Sequence, residues 1–412
     1  MTRFPRILRR FGLTKKKSEN AILDAIGLTK SYNCTPSFCI TADLINGNDD
    51  FMSSLMRKKV DLGIHGYHHI DYSDLSYEEQ NSQIKAAIAV FKKNEIDFSG
   101  FRAPYLRFSN ETSRAIASND FSWASNHVVF HNLDGSSEQE KLYRSIKGLL
   151  DTSYAYISYE NGPSLPWVTD TYVEIPVSVP DDELLIDRLK VSNPIKIAQI
   201  WLDMLNRSCG EGELLNLLFH PERFHLLRKP LDMLLKRARD RNDIWVASLR
   251  EIASWWQQKR RFKFIIEPAG NHKFKIRAEC TKKASICIRR AEGKLELVPA
   301  LEKSPYVLES PRKPVIGIAA DAPGHLIEYL LNDGYPILCP AKMGECALYL
   351  DKGFNGTNKD LQMMIAGTRF PLVQFWRWPE QFRGALAITT DIDALSLWDF
   401  IRRPFCFNRS HF

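Results

Sequence analysis

Two histidines four residues apart at the end of an apolar run, Asp61-Leu-Gly-Ile-His-Gly-Tyr-His-His69, are the residues of this chain best suited to chemistry. The run predicts a strand ending at His65, with His69 close enough behind it for both rings to face one point, the arrangement a divalent ion such as zinc asks of neutral imidazoles. A polar surface loop would show the same histidines, so a third ligand has to come from elsewhere. The eight cysteines are scattered, with no Cys-x-x-Cys pair, and read as reduced thiols. A carboxylate is therefore the expected third donor.

Ala385-Leu-Ala-Ile-Thr-Thr390 predicts another strand, ended by Asp391-Ile-Asp393. Alternate residues of an extended segment point to one side, so the two carboxylates can share a site, one on a metal and one acting as base. Asp-x-Asp alone is a weak signal. In Phe101-Arg-Ala-Pro-Tyr105, a proline stiffens the turn after a short apolar segment. Arg102 can there grip a carboxylate with both teeth of its guanidinium, although a surface arginine would look the same. Leu218-Phe-His220 puts an imidazole at the end of a very apolar run, where it suits a general acid or a capped core histidine.

These residues need elements to hold them. Apolar positions at Ile84, Ile88 and Phe91 have helical spacing within 78–93, and helices are also expected at 21–28, after Asn110, after Asn193, from Pro230 and over 249–256. Strands are expected at 34–42, 60–64, 98–103, near Trp123, at 172–179, 214–219 and 244–246. Alternation of this kind predicts parallel βα units, and so many within about 240 residues predict an α/β fold built as a distorted (β/α) barrel, whose site lies where the strands end. After the basic stretch 257–263 the texture changes to short alternating segments, as in a small antiparallel β unit, followed by an α/β stretch with a helix at 325–332 stopped by Gly334. The expected organisation is a basic segment 1–19, a barrel 20–258, a small domain 262–375 without a functional motif, and a tail 380–412 that supplies one more strand.

At 412 residues, with 44% apolar and 25% charged side chains, the composition is that of a globular protein with more than one core. The net charge of +7 concentrates at the N-terminus in Arg3, Arg6, Arg9, Arg10 and Lys15 to Lys17. Such a run is usually a solvated end; it is compatible with peripheral contact at an anionic membrane surface, and no nucleic-acid partner is expected. No apolar leader and no stretch of about 20 apolar residues is visible, which makes cytoplasmic placement the expectation.

Together the four motifs resemble the polysaccharide deacetylase superfamily, the NodB-homology or carbohydrate esterase family 4 fold. Ile64-His-Gly-Tyr-His-His69 is similar to its His-x-x-x-His motif, Arg102-Ala-Pro-Tyr105 to its Arg-x-Pro motif, Leu218-Phe-His220 to its Leu-x-His motif, and Thr390-Asp-Ile-Asp393 to its opening Asp motif. The order departs from the family, since the Asp motif comes last, as a circular permutation would place it. The family's usual Arg-containing segment before the Leu-x-His motif is not evident, leaving Trp167, Asp170 and Glu174 without roles.

The resemblance implies metal-assisted hydrolysis of an N-acetyl or other N-acyl group on a sugar or glycan precursor. It assigns His65, His69 and Asp393 to a divalent ion, expected to be zinc, Asp391 to the base, Arg102 to orienting that base, and His220 to the acid. The backbone N–H of Tyr105 would hold the developing oxyanion, with Pro104, Tyr105 and Tyr67 at the substrate. Two other readings stay open, an inactive sugar-binding relative that stacks substrate on Tyr67, Tyr72, Tyr105 and Trp167, and a hydrolase acting on a formyl group of a lipid-linked sugar or on a small amide.

Overall fold

Leu214–Phe219 is apolar at five of its six positions and buried at all of them, the composition of a parallel strand covered on both faces. Its neighbour is Gly384–Ile392, nine residues that are all buried, aligned so that Leu214 faces Ala385 and Phe219 faces Thr390. On its other side Gly384–Ile392 pairs in parallel with Ser37–Ile40, Cys39 standing opposite Asp391. The last strand among the described residues is thus central in the sheet, between Ser37–Ile40 and Leu214–Phe219.

These relations come from a computed structural model, which describes residues 10–11, 13–131, 141, 144–148, 150–151, 156–158, 161–290, 293–302 and 304–402. Two compact units divide the chain: Met1–Ser158, Ser164–Ala253 and Ala385–Phe412 form one, Tyr159–Pro163 and Ser254–Gly384 the other. In the first unit the sheet runs Tyr156–Ser158, Val128–Phe130, Val177–Val179, Leu214–Phe219, Gly384–Ile392, Ser37–Ile40, Asp61–Ile64, Gly100–Phe101, Trp123–Ala124, Val173–Glu174 and Trp167–Val168, with Ile244–Val246 joined to Gly384–Ile392. Every neighbour pair on this path is parallel except the last, which is antiparallel.

The predicted strand 172–179 is two strands, because Pro176 cannot continue a ladder. Val173–Glu174 pairs with Trp123–Ala124 at one end of the sheet, and Val177–Val179 pairs with Val128–Phe130 toward the other. One short turn of chain therefore links the two ends, and the sheet is curled into a half-barrel.

Helices Lys16–Ser31, Asp49–Arg57, Tyr77–Lys93, Asn110–Ala117, Pro194–Gly210 and Phe224–Arg241 alternate with the strands. Tyr77–Lys93 starts on a Ser76/Glu79 capping box. The helix expected from Pro230 begins earlier, at Phe224; Leu227, Leu231, Leu234 and Leu235 form a buried stripe across the proline, and that burial outweighs the one backbone bond lost. Two apolar clusters result, one around Trp201, Leu217, Phe219 and Leu231, the other around Phe38, Ile64, Ile84 and Phe101. Gly100 makes the second cluster feasible: a Cβ there would stand 1.9 Å from the Trp123 ring, whose Nε1 donates to Ser99 Oγ at 2.9 Å.

The second unit has the antiparallel ladders expected from the sequence, Lys263–Pro268 with Lys273–Glu279 and Ser285–Arg289 with Leu295–Pro299. The sequence reading missed the strands Tyr306–Glu309, Ile337–Leu338, Cys346–Leu350 and Leu372–Phe375 and the helix Asn358–Ala366. Lys313–Ile318 is the centre of a three-stranded parallel sheet and shares a core with Leu326, Leu330, Leu361 and Ile365. Gly334 closes the helix Gly324–Asp333 at φ 100°. Beneath it, Arg377 holds Asp333 through two bonds of 2.6 and 2.8 Å, both side chains buried.

Among the described residues seven cysteines are free, and no helix is long and apolar enough to cross a membrane. Lys16 and Lys17 are exposed, whereas Arg3, Arg6, Arg9 and Cys406 lie outside the described residues.

Candidate functional site

Parallel register decides which side chains meet. Ile40, Ile64, Phe101 and Ile392 are level across four adjacent strands, so the next residues to emerge, His65, Arg102 and Asp393, leave the sheet at one rim. His220 follows Phe219, the partner of Thr390, and so stands on the strand beside Asp391. All of them are at carboxyl ends of strands, where α/β folds place their sites. The opposite rim holds a structural knot, in which buried Asp61 accepts from Ser37, Ser99 and Arg250.

His65 is 1% exposed. Its Nδ1 stands 2.9 Å from the Arg102 carbonyl; a carbonyl can only accept, so Nδ1 carries the proton and Nε2 presents its lone pair to the site. The turn after it depends on Gly66 at φ 79°, where a Cβ would press on the Tyr72 hydroxyl and the His68 carbonyl at 3.0 Å. That turn brings back His69, whose ring centroid is 5.2 Å from that of His65. Asp393 Oδ1 is 3.4 Å from His65 Nε2, and its Oδ2 is 3.5 Å from His69 Nε2. His68 turns away and pairs with Asp43 at 2.9 Å.

One donor atom from each of His65, His69 and Asp393 lies within 4.8 Å of the others. Donors that share a tetrahedral ion at about 2.0 to 2.1 Å stand about 3.3 to 3.4 Å apart, close to the contacts seen. Two imidazoles and one carboxylate, one of them already held in the required tautomer, fit a divalent ion.

Arg102 is fully buried. Burial works against its charge, but the charge and hydrogen bond of Asp391, with Cys39 and Glu174, together outweigh it, so its pKa is raised. The expected two-tooth grip on Asp391 is not what the structure shows. Nη1 donates to Asp391 Oδ1 at 3.0 Å, and the other N–H groups go to Thr389 Oγ1, Ser125 Oγ and the Ser125 carbonyl. The Thr389 hydroxyl occupies the place of the second carboxylate oxygen. Asp391 Oδ2 is 3.8 Å from His65 Nε2.

The Arg102 turn is propped from behind. Ala103 N–H donates to Asn126 Oδ1 at 2.7 Å, and Glu174, which the sequence left without a role, accepts from the backbone N–H groups of Asn126 and His127. Pro104 opens the turn and is buried, and Tyr105 follows at φ 60°, the left-handed region that non-glycine residues rarely adopt. Its ring is 48% exposed and stands edge-on to His69 at 4.3 Å. Tyr67 lies edge-on to His68 at 4.6 Å and packs against the apolar core. Trp167 faces His127, Asp170 is exposed, and Tyr72 is buried.

His220 has partners that sequence reasoning missed. Its Nδ1 meets Asp182 Oδ1 at 2.9 Å, and Arg223 Nη1 reaches Asp182 Oδ2 at 2.8 Å. Burial pushes the imidazole toward the neutral form, but the Asp182 charge and hydrogen bond prevail and raise its pKa to about 10. Asp182 is held low despite burial by His220 and Arg223, while burial and the neighbouring Asp182 charge push Asp181 up to about 7. A signal was present: Asp181 and Asp182 follow Val177–Val179, as the other site residues follow their strands.

Comparison with known proteins finds similarity over part of the chain. A polysaccharide deacetylase family model matches residues 18–123. The matched stretch holds His65, His69 and Arg102; His220, Asp391 and Asp393 lie beyond it. No curated protein matches the sequence. Among solved structures, the Puue allantoinase is similar at 13% identity and TM-score 0.46, over 57% of this chain and 72% of its own. A probable polysaccharide deacetylase from Pseudomonas aeruginosa PAO1 is similar at 15% identity and TM-score 0.45, over 58% and 72%. A Mycobacterium smegmatis protein described as a polysaccharide deacetylase gives 18%, 0.44, 57% and 76%.

Proposed function

We propose that the protein is a metal-dependent hydrolase that removes an N-acetyl or related N-acyl group from a sugar or glycan precursor. The observation that carries this reading is the convergence of His65, His69 and Asp393 within 4.8 Å, with the Arg102–Asp391 pair alongside. The match of residues 18–123 to the polysaccharide deacetylase family model supports it. In this reading the strand that bears Asp391 and Asp393 completes the half-barrel from the end of the chain, a permuted order of segments.

His65, His69 and Asp393 hold the ion, which when bound supplies Lewis acidity to the acyl carbonyl and lowers the pKa of water. Asp391 takes the proton of the attacking water, and Arg102 fixes its direction. A C–O bond forms at the acyl carbon and the C–N bond breaks. His220, charged and held by Asp182, passes its proton to the departing nitrogen, and an amine and a carboxylic acid result. The Tyr105 backbone N–H is assigned to the developing oxyanion, and the exposed Tyr105 ring beside His69 to the face of the sugar.

The test is acetate release from a panel of N-acetylated sugars, free and lipid-linked, by protein loaded with zinc. Turnover that stops on chelation and is absent in His65→Ala is the expected result. Retention of turnover by His65→Ala, or none by the wild type on any member, overturns the reading.

A further inference from the structure

Beneath the carboxylates lies a set of polar side chains with no role in the reaction just described. Thr389, Asn216, Ser125 and Ser178 are each 0% exposed and come from four different strands or strand ends. A barrel interior normally takes apolar side chains here, since a buried hydroxyl or amide without partners is costly. These have partners, and the partners converge on Arg102.

A guanidinium has five N–H groups, and the five contacts of Arg102 match them. Nε goes to the Ser125 carbonyl at 3.1 Å, Nη2 to Ser125 Oγ at 2.8 Å and Thr389 Oγ1 at 3.2 Å, and Nη1 to Thr389 Oγ1 at 3.2 Å and Asp391 Oδ1 at 3.0 Å. Thr389 Oγ1 therefore sits across the fork and accepts from both terminal nitrogens. Its own proton goes to Asn216 Oδ1 at 3.2 Å or the Leu217 carbonyl at 3.3 Å. The Asn216 amide cannot be reversed, because its Nδ2 donates to the Pro176 carbonyl at 3.1 Å and to Ser125 Oγ at 3.3 Å.

We infer that Thr389 is a positioning residue for the base: its hydroxyl, aimed by Asn216, fills the Arg102 fork so that Asp391 is gripped through Oδ1 alone and turns Oδ2 toward His65. This rests on the hydrolase reading above. Without the hydroxyl, a planar fork facing a planar carboxylate closes on both oxygens, the geometry that arginine and carboxylate prefer. Asp391 would then rotate away from the water it must deprotonate, and such a displacement costs rate without changing how substrate binds.

The experiment compares Thr389→Val, of nearly the same shape, with Thr389→Ser, which restores the hydroxyl, in the full zinc-loaded protein on a substrate the wild type turns over. Expected is a roughly 100-fold loss of kcat in the valine variant with KM within about 2-fold, and recovery to within about 3-fold in the serine variant. Unchanged kcat in Thr389→Val overturns the inference, as does failure of serine to restore it. If the valine variant does not fold, Thr389→Cys, which keeps the size and weakens the acceptor, takes its place with the same expected split. If the wild type turns over no N-acyl sugar, the hydrolase reading fails on its own, and a crystal structure of the valine or cysteine variant decides the positioning. Both Asp391 oxygens on Arg102 uphold it, and an unchanged single contact refutes it.

Discussion

Replacing Asp182 with asparagine tests the assignment of His220 as the acid. The variant keeps the shape and an oxygen for His220 Nδ1 but removes the negative charge that both His220 and Arg223 face. The other charged groups acting on this imidazole are Arg223, which opposes its protonation, and Glu222, which favours it. The pKa of His220 is raised from 6.5 to about 10, and at 1.36 kcal/mol per unit that is about 5 kcal/mol favouring the charged form. A buried ion pair broken by loss of one partner typically costs about 3 to 5 kcal/mol, so the two magnitudes agree. An acid works only while protonated, so wild-type kcat/KM should fall as pH rises through about 10. In Asp182→Asn, burial and the Arg223 charge are opposed only by the weaker effects of Glu222 and Asp181, and the falling limb should move well below that of the wild type. At pH 8 the variant should lose roughly 100-fold or more, and at pH 5.5 much less. The same sign governs stability. A histidine with a raised folded pKa contributes stability that is complete below pH 6.5 and lost as pH climbs through about 10, so the difference in urea midpoint between wild type and variant should be largest at pH 6 and shrink above pH 10. A falling limb at the same pH in both proteins would refute the reasoning.

Three further outcomes are expected. Asp393→Asn should weaken zinc binding by more than about 100-fold in calorimetry while leaving the circular dichroism spectrum unchanged, since its neighbours are the two histidines rather than the core. Gly100→Ala should destabilise the first unit by about 1 to 3 kcal/mol or prevent its folding, read from thermal unfolding, because the new methyl overlaps the Trp123 ring. Arg377→Met should cost about 3 to 5 kcal/mol by leaving Asp333 buried and unpaired, and the double variant Arg377→Met with Asp333→Leu should recover most of it in urea titration.

What could be read from the sequence was local. Leu214–Phe219 and the run into His65 announce themselves as strands by continuous apolar residues, and the candidate donors follow at once in the chain, so the candidates stood out by residue type and spacing while their separate roles rested on the family resemblance. Three features could not. Asp182 reaches His220 from the end of a different strand, and its place behind Val177–Val179 hints at the site without naming His220 as its partner. Thr389 looks like any hydroxyl in a β-prone run, and its meeting with Arg102 exists only in the assembled sheet. Tyr67 had the composition of a sugar-stacking residue, and only the assembled fold shows its ring edge-on to His68 and packed against the apolar core. In the second unit the short strands Cys346–Leu350 and Leu372–Phe375 carry too few residues for period-two alternation to stand out.

The position of Gly384–Ile392 follows from two separate requirements that meet in one strand. Ser37–Ile40 and Leu214–Phe219 are buried on both faces, so the backbone donors and acceptors between them can be satisfied only by a strand, and water cannot serve in its place. Gly384–Ile392, nine residues all buried, fills that slot. Charge makes the same demand. Arg102 is fully buried on Gly100–Phe101's rim, and its carboxylate partner is 289 residues further along. A half-barrel lacking that strand would hold the guanidinium in a dry interior without the carboxylate that pairs with it, at a cost of several kcal/mol. Backbone pairing thus sets which two strands the segment enters, while the Arg102 charge selects the register at which it stops. That register also carries Asp393 to the two histidines, so the geometry expected to bind an ion is a consequence of how the sheet closes.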